Sequence, residues 1–92
     1  MNAAELSQTQ LDAIYAHVRT LGNALTAGLR AAGFKKRQSL MQHPSGVTVS
    51  DLGNREGLTV IVFTGPANDR TRSIYRATTV AEVDEIVASL NA

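Results

Sequence analysis

Four sets of residues have types that do chemistry in other proteins: His43 with Ser45 and Asp51, the lone His17, the stretch Thr64 to Arg70, and two clusters of basic side chains. A hydroxyl, an imidazole and a carboxylate make an activated nucleophile only when they meet in space, and such letters fall close together in many small proteins. Two histidines without paired carboxylates or cysteines lack the spacing of a metal site. His17 reads instead as a boundary residue beside the apolar face of a helix. Thr64-Gly65-Pro66-Ala67-Asn68-Asp69-Arg70 contains a glycine but neither the second glycine nor the lysine and hydroxyl that complete a phosphate loop, so it reads as a turn. Glu82, Asp84 and Glu85 fall in or near the first turn of a helix, where the positive end of the dipole favours carboxylates. The expectation is a protein without a catalytic residue, cofactor or metal of its own.

The basic clusters are Arg30, Lys35, Lys36 and Arg37, and then Arg70, Arg72 and Arg76, each suited to phosphates or to an acidic partner. They sit in a chain whose nine basic and eight acidic residues leave a net charge of only +1, so no global field draws it to nucleic acid or membrane. With no cysteine there is no disulfide and no thiolate chemistry, which fits a reducing compartment. The first residues lack a signal peptide's basic and apolar regions, and no later stretch suffices to span a bilayer; a soluble, cytoplasmic protein with no membrane partner is expected. At 92 residues, 43% hydrophobic and 18% charged, the chain reads as one α+β domain over residues 1–92.

The elements that position these side chains are partly marked. Ser7 and Gln10 fit a capping box, with Leu6 and Leu11 placed as a hydrophobic staple. Leu11, Ile14, Val18, Leu21, Leu25, Gly28 and Ala32 then mark one helix face, and Gly33 suits the left-handed position that ends it. Gly22 and Asn23 could bend or split that helix. From Phe34 to His43 the pattern allows a short edge strand or an extended connection. Val47 to Leu52 and Leu58 to Phe63 read as strands of a hairpin across Gly53 to Gly57, followed by a strand from Arg70 to Ala77. A second helix opens with Thr79 and Glu82 as a capping box and carries Val80, Val83, Ile86, Val87 and Leu90 on its apolar face. The expected fold is a three-stranded antiparallel meander, four-stranded with the extra edge, flanked by a long N-terminal and a short C-terminal helix in αβββα order.

Leu58 to Phe63 is apolar on both faces of its strand, so each face needs cover. Pairing Leu52 with Leu58 puts Val47, Val49, Ile61 and Phe63 toward the helices, and Thr48, Ser50, Leu52, Leu58, Val60 and Val62 away from them, with Tyr75 joining if Ile74 turns inward. A one-residue change of register exchanges the two faces. Three readings follow: the chain covers both faces itself, through a helix broken near Gly22 or an edge segment folded over the sheet; a second copy pairs with the sheet; or a heterologous protein docks on it.

The αβββα order is similar to that of double-stranded-RNA-binding domains, which makes nucleic acid the alternative class of partner. That family opens its last helix with lysines that grip the phosphate backbone, whereas this one opens Thr79-Val80-Ala81-Glu82-Val83-Asp84-Glu85. In size and lack of motifs the chain resembles phage and mobile-element inhibitors such as the anti-CRISPR proteins. The leading expectation is a non-catalytic protein-binding module, an accessory or inhibitor protein that occludes a larger partner.

Overall fold

The computed structural model describes residues 7–66 and 68–90. Helix α1 spans Gln8–Ala31 and runs unbroken through Gly22. Its start is reciprocal, with the Gln10 N–H donating to Ser7 Oγ at 3.1 Å and the Ser7 N–H donating to Gln10 Oε1 at 2.8 Å. The staple residue Leu6 lies outside the described residues. At the far end Gly33 takes φ 97°, a conformation that costs a residue with a Cβ. The turn lets the Phe34 N–H reach the Leu29 carbonyl at 2.9 Å and the Gly33 N–H reach that of Arg30 at 3.1 Å.

Five strands follow: β1 Lys35–Arg37, β2 Leu40–Gln42, β3 Thr48–Asn54, β4 Gly57–Thr64 and β5 Thr71–Ala77. Helix α2, Val80–Leu90, ends the described chain. All neighbours pair antiparallel in the order β1-β2-β3-β4-β5. The α+β class and helix–sheet–helix order agree with the sequence pattern, but the strands number five, not three or four. The difference lies after α1, where the chain doubles back through Gln38-Ser39 and sets Lys36 opposite Met41. Gln38 holds φ 59° there, a left-handed conformation that neither glycine nor asparagine announces in the sequence.

The central hairpin is tighter than its composition suggests. Its turn is Arg55-Glu56 alone, held by Asn54 Oδ1, which accepts the N–H of Glu56 at 2.9 Å and that of Gly57 at 3.1 Å. Gly53 belongs to β3 because α1 lies directly over it; a Cβ there would collide with Val18 Cγ1. Leu52 therefore pairs with Thr59 rather than Leu58, Ser50 with Ile61 and Thr48 with Phe63. That shift of one residue turns β4 over relative to the expected pairing, while β3 keeps its expected faces.

Both helices pack on the same face of the sheet. Leu21, Leu25 and Leu29 of α1 and Val83 and Ile86 of α2 close over Met41, Val49, Leu58, Val60 and Val62. Full burial of each of these side chains contributes about 1.5–3 kcal/mol. Val87 of α2 sits against Gly28 of α1, where an added Cβ would lie 3.0 Å from Val87 Cγ2. Leu58, Val60 and Val62, expected to look outward, are exposed to only 3%, 0% and 1%. Tyr75 pairs with Val60 and shares this covered side, packed against the core. Thr48 and Ser50 lie on the opposite face. The α1 helix is neither broken nor divided between faces, so the second face of the sheet has no helix over it among the described residues.

Candidate binding face

The uncovered face is laid out by strand parity. Its centre is apolar: Ile61 and Phe63 on β4, Ile74 on β5 and Leu52 on β3 stand side by side, with Ile61 directly opposite both Ile74 and Ser50. Leu52 and Ile74 are 65% and 52% exposed, against the burial of every apolar strand residue that faces α1. Polar groups border them, with Thr59 opposite Leu52 and Ser50 opposite Ile61. Thr48 is buried on this side, donating to the Gly46 carbonyl at 3.4 Å and accepting from Arg70 Nη1 at 3.3 Å. The Arg70 side chain, rooted before β5, thus crosses the end of β4 to reach β3.

Cations stand at both edges. Lys35 and Arg37 occupy β1, and Arg72 and Arg76 occupy β5, with Arg72 opposite Phe63 and Arg76 opposite Thr59. Together with Arg70, five of the nine basic residues belong to this face. No carboxylate among the described residues shares it. Asp51 projects from β3 to the helix side, opposite Val60; Glu56 is in the hairpin turn; Asp69 is in the β4–β5 connection; Asp12, Glu82, Asp84 and Glu85 lie on the helices. The small net charge thus conceals a segregation of sign between the two sides of the sheet.

The sequence clusters are divided by this geometry. Lys35 and Arg37 reach the open face, Lys36 turns to the helix side beside Met41, and Arg30 is exposed on α1. The edge strands β1 and β5 are four strand spacings apart, about 19 Å, so the two clusters form separate rims rather than one patch.

The histidines hold structure. His43 Nδ1 accepts the Ser45 N–H at 3.1 Å and meets Ser45 Oγ at 2.8 Å, while its ring lies 5.0 Å from that of Phe34. Asp51 lies about 13 Å along β3 from the residue paired with His43, so the three side chains do not assemble. His17 Nε2 donates to the Thr78 carbonyl at 2.7 Å and ties α1 to the end of β5. Among the described residues no three groups of metal-ligating type come together.

One carboxyl is perturbed. Glu82 is held below the usual glutamate range, first by the Thr78 hydroxyl, which donates to Oε1 at 2.7 Å, and then by the Thr78 backbone N–H at 3.4 Å; desolvation opposes both. The Glu82 N–H in turn donates to Thr79 Oγ1 at 3.2 Å, so this carboxylate is a helix cap. A groove of about 660 Å³ runs between α1 and the β1–β2 turn, with Arg19, Lys36 and Asp51 in its wall.

On β3 the sequence pattern put Thr48, Ser50 and Leu52 outward, as they are; on β4 and β5 it put Leu58, Val60, Val62 and Tyr75 outward, where the helices cover them. Leu40, Leu52, Ile61, Phe63 and Ile74 are the apolar strand residues of the open face, and the legible signal for it was β5, where Arg72, Ile74 and Arg76 recur at the two-residue period of one strand face. No protein-family model matches the chain, and comparisons with curated proteins and with solved structures find no similar protein either. No helix among the described residues is long and apolar enough to cross a membrane.

Proposed function

We propose that this chain is a non-catalytic protein-binding module, of the accessory or inhibitor kind, that occludes an acidic surface of a larger protein with the open face of its sheet. The observation that carries the reading is the apolar centre formed by Leu52, Ile61, Phe63 and Ile74 between two cationic rims, with no acidic residue among the described strand residues of that face. An apolar core ringed by arginine is the usual anatomy of a protein interface, and arginine is among the residues that dominate binding energy there. A second copy docked face to face would set cation rim against cation rim, so charge favours a heterologous partner.

Nucleic acid is the second reading, and the carboxylate-free face is what favours it. Against it stands the aromatic content of that face: Phe63 is its one ring, whereas sheets that bind single strands rely on stacking several bases. Capture of a partner on immobilised protein, after nuclease treatment and across a salt series, separates the two. Retention that survives nuclease and is lost on Ile61→Asp supports the protein reading. Retention that vanishes with nuclease refutes it, and a steep fall with salt that accompanies that loss marks phosphate contacts.

A further inference from the structure

We propose that the outer edge of β5 receives an extended acidic segment of the partner as a sixth strand. This rests on the protein-binding reading above and gives that partner a conformation and a charge pattern. Among the described residues β5 is the last strand of the sheet, seven residues long and free of proline. In an antiparallel ladder, alternate residues turn their N–H and C=O to opposite neighbours. The hairpin closes on the pair Asn54 and Gly57, which directs the odd-numbered residues of β4 to β3 and the even-numbered ones to β5. Leu58, Val60 and Val62 consequently bond Ala77, Tyr75 and Ser73, and the N–H and C=O of Arg72, Ile74 and Arg76 point away from the sheet.

The same three residues place their side chains on the open face. An incoming antiparallel strand would set its own residues directly opposite them, at two-residue spacing. Charge and hydropathy select an acid against Arg72, an apolar residue against Ile74 and an acid against Arg76. Between these, the residues turned to the helix side meet Ser73 and Tyr75 and a hollow of about 260 Å³ walled by Tyr75, Arg76, Glu82, Glu85 and Ile86, whose two carboxylates exclude acids there and admit small neutral side chains.

A second copy fits this edge poorly. The two-fold pairing with the greatest overlap centres on Ile74 and sets each Arg72 opposite an Arg76 of the other copy, the like-charge arrangement that opposes pairing. Edge charges of this kind keep strands apart from their own kind while leaving them open to the opposite charge.

The test uses the full chain and a synthetic peptide with glutamate, valine and glutamate at alternate positions and serine between them. Fluorescence anisotropy reads binding, and amide hydrogen exchange reads position. The expected result is saturable binding, about tenfold weaker for the peptide with lysine in place of glutamate. Exchange at Arg72, Ile74 and Arg76 should slow about tenfold with little change at Ser73 and Tyr75, which are already bonded to β4. The variant Arg72→Glu with Arg76→Glu, its fold checked by circular dichroism, should reverse the preference between the two peptides. Absence of binding, equal binding of both peptides, or binding without protection of those three amides overturns the edge proposal. Such a failure leaves the open-face reading standing on its own test, since loss of partner capture on Ile61→Asp does not depend on strand addition.

Discussion

Val60 and Ile61 are consecutive residues of β4 with opposite surroundings, and aspartate at each should give opposite outcomes. Val60 is 0% exposed beneath both helices, while Ile61 is half-buried at the centre of the open face. Aspartate at Val60 forfeits about 1.5–3 kcal/mol of apolar burial. Its carboxyl must also be desolvated, and a rise of about 3–5 pKa units for such a group costs about 4 kcal/mol at pH 7, where the buried acid takes up a proton rather than keep its charge. A domain of this length has a total stability of about 5–14 kcal/mol, so Val60→Asp consumes about half of it or more. At Ile61 the loss is part of one side chain's burial plus a lower strand preference, about 1–2 kcal/mol in sum. Urea unfolding followed by circular dichroism reads the difference directly: Ile61→Asp should keep a cooperative transition with a midpoint lower by about 1–2 M, and Val60→Asp should lack a folded baseline. Equal losses, or a folded Val60→Asp beside an unfolded Ile61→Asp, would refute the assignment of the covered face.

Three further outcomes follow from local geometry. Gly53→Ala forces a Cβ against Val18 Cγ1, a stiff β-branched side chain, and should lower stability by about 1–3 kcal/mol, with Val18→Ala in the same chain restoring part of it in urea titrations. Ser7→Ala removes the acceptor of the Gln10 N–H and should lower stability by about 1 kcal/mol, read from the thermal midpoint. Glu82 has a folded pKa below its unfolded one, so its contribution is present above the unfolded value and is lost as pH falls through the folded value. Stability measured down the acid limb should therefore fall less steeply in Glu82→Gln, and an unchanged slope would contradict the Thr78 contacts as the cause.

Both helices were legible because their signals are local. Ser7 with Gln10 and Thr79 with Glu82 mark the starts through hydrogen bonds three residues long, and Gly33 marks a stop through its left-handed φ. The sheet was legible in kind but not in register. Gly53 to Gly57 has the composition of a loop, yet Gly53 is in β3 because α1, distant in sequence, needs the space above it, and Asn54 closes a two-residue turn with its own side chain. The β1–β2 turn was invisible because Gln38 adopts its positive φ under the constraint of the pairing around it. The binding face inherited the register error: alternation correctly separated Leu58, Val60 and Val62 from Ile61 and Phe63, but which set met the helices turned on a single residue in the hairpin.

The proposed protein interface on the open face is tested most directly by partner capture with wild type and Ile61→Asp side by side, after nuclease treatment, with both proteins shown to be folded. The prediction is a nuclease-resistant partner held by wild type and absent from Ile61→Asp. Equal capture of that partner by the two folded proteins would contradict it.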